Sequence, residues 1–141
     1  MRPGEGRTGN EPLISFKILQ NPNFKMEIKS FRKTKLLGNS FRDFIMTERQ
    51  ISLEPRALAR FSVIQLLHTD EGICEVIKHD TAHGIYHIHR FYEGKDDKTE
   101  FPEERIDQGL FLRAKSDILE NWKEYRDKFV RKWAGDNQTN I

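Results

Sequence analysis

The chain's 141 residues suffice for one domain with a real core, and 24 Lys and Arg against 22 Asp and Glu leave a net charge of only +2. Apolar residues are scarce at 36% and charged ones frequent at 33%, yet ten Phe, three Tyr and two Trp supply large areas to bury, which excludes a disordered chain. The single cysteine, Cys74, excludes an internal disulfide and a thiolate zinc centre, and no apolar run nears the roughly 20 residues of a membrane span.

With one cysteine, a reducing cytoplasm is the default location. The opening MRPGEGRTGNEP has an early Arg but no apolar stretch behind it, so no secretory signal is expected. Residues 1–12 read as a loose tail, residues 13–133 as a single domain, and residues 134–141 (AGDNQTNI) as a second loose end.

The first candidate strand is LISFKIL. In FKMEIKSF, Phe24, Met26 and Ile28 alternate with Lys25, Glu27 and Lys29, the period of a half-buried strand. SFRDFIMTERQISLE stays open: Phe41, Phe44 and Ile45 suit a short helix, and the β-branched residues nearby suit extended chain. RALARFSVIQLL is β-branched and aromatic, and it stops at the turn cluster HTDEG. ICEVIKHD and IYHIHRFY follow, separated by a short loop containing Gly84, and form a hairpin. Together these three runs predict an antiparallel meander.

Beyond EGKDDK the period changes. Ile118, Trp122, Tyr125, Phe129 and Trp133 are spaced by 4, 3, 4 and 4, one face of a helix. Ser116 is placed to cap it, Asp117 and Glu120 fit its first turn, Arg131 and Lys132 its last, and Gly135 supplies a stop. The aromatic stripe is read as core. The expected fold is therefore α+β: an antiparallel sheet of four or five strands with a long C-terminal helix packed on one face.

Charge is uneven along the chain. Residues 24–60 hold nine Lys and Arg against four Asp and Glu, whereas residues 91–107 hold three against seven. The basic third suits an anionic partner such as RNA, with Lys25, Lys29, Arg32, Lys33 and Lys35 as candidate contacts. A solvated surface of varying charge is the plainer reading.

IKHDTAHGIYHIHRFY carries four of the five histidines. His87 and His89 share a strand face, and the hairpin register decides whether His79 joins them. A three-residue loop Ala82–Gly84, with Gly84 left-handed, puts His79 opposite His87 and leaves the histidines accessible as one patch. A two- or four-residue loop pairs His79 with Tyr86 and turns it away. Three imidazoles with Glu75 or Asp80 make a conceivable metal set. Alternatively one His takes a 2′-OH proton, another protonates the leaving oxygen, and Arg90 or Lys78 steadies the phosphorane. Strand and turn histidines satisfied by their neighbours remain the third reading. The candidate catalytic set is His79, His87, His89, Arg90 and Asp80. No metal or cofactor is assigned, and no tightly bound zinc is expected. Cys74 reads as a small buried residue, and no dinucleotide, Walker or zincin motif is present.

VIKHDTAHGIYHIHRFY, with RFSVIQLL before it, resembles small uncharacterised prokaryotic proteins that carry a Lys/Arg, aromatic, Asp, Thr/Asn, Ala, His signature. More loosely it resembles the TumE-like toxins of toxin–antitoxin modules. Lys78, His79, Asp80, Thr81, Ala82, His83, Gly84 and His87 carry the likeness; His79 replaces the usual aromatic, and Thr81 the Asn. The resemblance implies a toxin-like prokaryotic module acting on RNA, a small endoribonuclease centred on the hairpin, with a cognate antitoxin as protein partner. The alternatives are a non-catalytic binding or assembly protein that docks a partner through residues 24–60, and a metal-dependent hydrolase. Whether the chain is an enzyme, and its oligomeric state, are left open by these residues.

Overall fold

Strand-forming alternation runs from Leu13 to Arg90, and each Gly- or Asp-containing interruption reverses the chain. The computed structural model describes residues 13–21 and 24–139, with side chains from 27 to 134. Seven strands result: β1 (Leu13–Asn21), β2 (Phe24–Leu36), β3 (Asp43–Leu53), β4 (Arg56–Thr69), β5 (Gly72–Asp80), β6 (Tyr86–Arg90) and β7 (Thr99–Phe101). They lie side by side in sequence order, and every neighbouring pair is antiparallel. The class is α+β as expected, with more strands than four or five. From Asp43 to Leu53 the open segment is strand, as β3 between β2 and β4, where both neighbours satisfy its backbone, while residues 40–42 bend into it. The short β7 adds Phe101 opposite Tyr86.

One helix, α1 (Gln108–Thr139), crosses the sheet over β4 and β5. Its cap is Asp107, not Ser116: Asp107 Oδ1 accepts from Leu110 N–H at 2.9 Å. The earlier start adds Leu110, Phe111 and Ala114 to the buried stripe that Ile118 continues. Gly135 does not stop the helix, whose backbone runs on to Thr139, so residues 134–139 are not a loose end. A helical Gly costs only about 1 kcal/mol relative to Ala. Trp122, Tyr125 and Phe129 pack against the core, while Trp133, the last member of the stripe, stays 39% exposed.

Beneath α1 lie Phe61 and Val63 of β4, Ile77 of β5 and Ile88 of β6, each buried. Full burial of such a side chain contributes about 1.5–3 kcal/mol. Phe61 sits at the centre, with its ring centroid 5.5 Å from Phe111 and 6.1 Å from Tyr86. Gln65 is also fully buried there, and its Nε2 donates to the Trp122 carbonyl at 2.9 Å. Gly38, with φ of +67°, passes under Trp122; a Cβ there would meet the indole at 2.8 Å. A bulge between β4 and β5 leaves Val76 as the extra residue, so Val76 and Ile77 are buried consecutively. Cys74 is half-buried. Among the described residues no helix is long and apolar enough to cross a membrane.

The β5–β6 register differs from the expected one. His79 pairs with Ile88, Asp80 with His87, and Lys78 with His89. Thr81, instead of pairing with Ile85, is tied to β4: its Oγ1 accepts from Phe61 N–H at 2.9 Å and its own N–H donates to the Phe61 carbonyl. Asp80 Oδ1 caps Ala82 N–H at 3.2 Å, and Ala82–Gly84 coil into a single 3₁₀ turn with His83 at φ 64° and Gly84 at φ 76°. The connection is closed by Gly84 N–H donating to the Thr81 carbonyl at 3.1 Å and anchored to β4 through Thr81, and the pairing moves by one residue.

Candidate functional site

That one-residue difference separates the histidines. His79 faces α1 together with Arg90, while Asp80, His87 and His89 occupy the opposite face of the sheet, so the expected three-histidine patch does not form. His87 is buried at 4% exposure, not accessible, and its Nδ1 donates to the Ile85 carbonyl at 2.9 Å. Asp80 is held by Ser62 Oγ at 3.1 Å, with Lys78 Nζ at 3.8 Å and His87 Nε2 at 3.7 Å. His89 is half-buried, donates from Nδ1 to the Asp97 carbonyl at 3.1 Å, and stacks on Phe91. Among the described residues no three His, Cys, Asp or Glu side chains converge as a metal set.

On the helix side His79 is 2% exposed and joins a chain of polar groups. Its Nδ1 lies 2.7 Å from Tyr86 Oη, and its Nε2 lies 2.9 Å from Asp117 Oδ2. Asp117 Oδ1 accepts from Tyr125 Oη at 2.6 Å and from Asn121 Nδ2 at 3.1 Å. Burial pushes the Asp117 carboxyl upward, but the hydrogen bonds from His79, Tyr125 and Asn121 outweigh it and hold the group below its ordinary 3.8. Burial, with the Asp117 charge nearby, pushes the Tyr86 phenol up to about 12 and raises Tyr125 as well. Asp117, Asn121 and Tyr125 follow each other at i, i+4 and i+8. Asp117 and Asn121, polar at i and i+4 in line with the stripe residue Tyr125, are the signal by which the sequence would have pointed to them.

On the other side of α1, away from the ion pair of Arg126 with the buried Asp43, four cations gather. Lys33 and Lys35 of β2 lie on the helix side of the sheet with Phe31, and Arg49 of β3 pairs opposite Phe31. The Arg49 guanidinium lies 5.5 Å from the Phe31 ring centroid and 5.3 Å from that of Phe111. Lys115 of α1 completes the group: burial lowers its ammonium, and Lys35, Lys33 and Arg49 lower it further. Lys29 approaches the Phe31 ring at 5.2 Å. Arg32 does not belong here; it faces the opposite side and is bound to Glu48 at 2.9 Å. Lys25 lies on β2 with its side chain outside the described residues. Arg49 and Lys115 come from β3 and α1, and nothing in the basic run of residues 24–36 points to them.

The class of protein is thereby set: an α+β domain whose long helix α1 divides one face of a meander sheet into a basic flank and a histidine-bearing flank. The chain belongs to the family described as a domain of unknown function, DUF7718, whose model it matches over residues 32–135. No curated protein and no solved structure matches it.

Proposed function

We propose that the domain binds single-stranded RNA along the flank formed by β2, β3 and α1. The observation that carries this reading is the cluster Lys33, Lys35, Arg49 and Lys115. These four are close enough for three of them to depress the fourth, and none has a carboxylate partner within ion-pair reach among the described residues. A fold that gathers cations without counter-charges stores repulsion that a polyanion relieves. Phe31, ringed by Arg49 and Lys29, supplies the flat apolar surface on which an unstacked base rests. The likeness of the hairpin to TumE-like toxins supports RNA as the anion and a toxin-like prokaryotic setting. The three-histidine cleavage centre is not retained, because the register puts His79 behind the sheet from His87 and His89.

Fluorescence anisotropy with a labelled single-stranded RNA, read across salt concentrations, tests the proposal. Four phosphate contacts give a slope of log K on log salt of roughly −3. The double variant Arg49→Gln, Lys115→Gln should lower the slope to about half, whereas Arg32→Gln should leave it unchanged. Phe31→Ala should cost about 1–3 kcal/mol if a base stacks there. Salt-independent binding, or equal losses for Arg32 and Arg49 variants, would refute it. An acidic peptide competing as well as RNA would point to protein docking through the same flank.

A further inference from the structure

Across α1 from the basic flank, the helix and strands β5–β7 line a solvent-open pocket of about 280 Å³. Tyr86, His79 and Asp117 form part of its wall, and Arg90 and Arg113 stand at it as cations. The remaining wall is Ile77, Ile88, Phe101 and Leu110 with Tyr125 and one further carboxylate, Glu104, which is engaged by Arg113; the apolar part strengthens charge interactions relative to bulk water.

The hydrogen bonds set the direction of the proton. Asp117 below its ordinary range is a carboxylate and accepts only, so its bond to His79 needs a proton on Nε2. In the neutral imidazole Nδ1 is then the acceptor, and Tyr86 Oη donates to it at 2.7 Å. Tyr125 and Asn121 fill further acceptor positions of Asp117 and fix its orientation. A hydroxyl within reach of a base, and that base held by a carboxylate, is the arrangement of an activated nucleophile. The Arg90 guanidinium has no carboxylate within ion-pair reach among the described residues; it donates to Thr99 Oγ1 at 3.2 Å and hydrogen-bonds Tyr92. Its backbone N–H is held by Asp97 Oδ2 at 3.0 Å, and Arg113 shares Glu104 at 3.1 Å. Planar guanidinium groups suit phosphate oxygens, and the volume falls just below the usual range for drug-sized ligands, which restricts the occupant to a small molecule.

We propose that this pocket is a site for a small phosphoester, in which Tyr86 is the nucleophile, His79 its base and Asp117 the positioning group. Tyr86 Oη forms a bond to phosphorus as its proton passes to His79 Nδ1. The bond from phosphorus to the leaving oxygen breaks, and that oxygen takes the proton from His79. Water then attacks the phosphotyrosyl ester, giving its proton to His79; Tyr86 leaves, recovers the proton, and the hydrolysed phosphate departs. Arg90 and Arg113 face the negative oxygens throughout. The site stands apart from RNA binding on the other flank and does not depend on it.

An aryl sulfonyl fluoride tests the nucleophile in the full chain: the Tyr86 oxygen bonds to sulfur, fluoride leaves, and the proton goes to His79. Peptide mapping by mass spectrometry should show Tyr86 labelled ahead of Tyr92 and Tyr125 at neutral pH. Labelling should be abolished in Tyr86→Phe and fall about 10²-fold in His79→Gln, the scale of a positioned base. Inorganic phosphate should slow it in the natural chain and not in Arg90→Gln. Should His79→Gln fail to fold, the order of labelling in the natural chain still decides. A phenol raised to about 12 without relay to a base is a slow nucleophile, so labelling of the other tyrosines first overturns the proposal. Equal labelling of a folded His79→Gln overturns it too, and labelling indifferent to phosphate overturns the phosphoester assignment.

Discussion

The two flanks of α1 treat charge in opposite ways, although they share one helix and one sheet face. On the β5–β7 side polar groups meet their complements: Tyr86 with His79, His79 with Asp117, Asp117 with Tyr125 and Asn121, Arg113 with Glu104. On the β2–β3 side Lys33, Lys35, Arg49 and Lys115 crowd together without a counter-charge, and burial with like charge depresses Lys115. The first pattern contributes stability, since a buried polar group left unpaired costs more than its bond is worth. The second detracts from stability and makes sense as a surface waiting for an anion. Hence substitutions on one flank should be read mainly in folding, and on the other mainly in binding.

The largest expected effect lies beneath both flanks. Phe61→Ala removes the ring between Phe111 and Tyr86 and should cost about 3–5 kcal/mol in urea unfolding. A loss confined to one flank by hydrogen exchange would mean that the two are separate folding units. Next comes His79→Ala, which leaves Tyr86 and Asp117 without their partner and should cost about 2–3 kcal/mol. A cost near zero would show that water replaces the imidazole and that the chain is loosely held.

Asp117→Asn should have a smaller effect at neutral pH, about 1–2 kcal/mol, and a diagnostic one in acid. The folded carboxyl titrates below its unfolded value of 3.8. Its contribution is therefore complete above that value and is lost as pH falls through the lowered one. The variant should show a shallower acid limb in a pH series of urea melts. An unchanged limb would assign acid sensitivity to other carboxylates. Least in stability is Lys115→Gln, expected within roughly 0.5 kcal/mol of the natural chain and on the stabilising side, because it relieves repulsion. If it destabilises strongly, the cations are packing elements and the contrast between the flanks fails.

Long, alternating segments were legible in the sequence because a strand's period of two is a local property. The stripe from Ile118 to Phe129 was legible for the same reason, at a helix's period. The ends of α1 were not. Ser116 has the chemistry of a cap, but Leu110, Phe111 and Ala114 find buried places on the sheet, which draws the start back to Asp107. β3 was ambiguous because its residues suit either state until β2 and β4 offer ladders on both sides. Arg32 looked like its lysine neighbours because a charge run in sequence says nothing of which face each member takes, nor of Glu48 waiting opposite.

The sequence by itself determined the class of fold, the meander, the helix and its apolar face, and the basic character of β2. Each rests on composition or on a short period that neighbours in the chain already express. Tertiary structure alone decided where the histidines go. Thr81 bonds to Phe61, twenty residues earlier in the chain, and that contact moves the β5–β6 pairing by one residue. Because side chains alternate, one residue sends His79 to Asp117 under the helix and His87 to Asp80 behind the sheet. Arg49 and Lys115 likewise join Lys33 and Lys35 only once β3 and α1 are in place. Periodicity is encoded locally, whereas register and cross-element pairing are set by contacts between residues far apart in the chain.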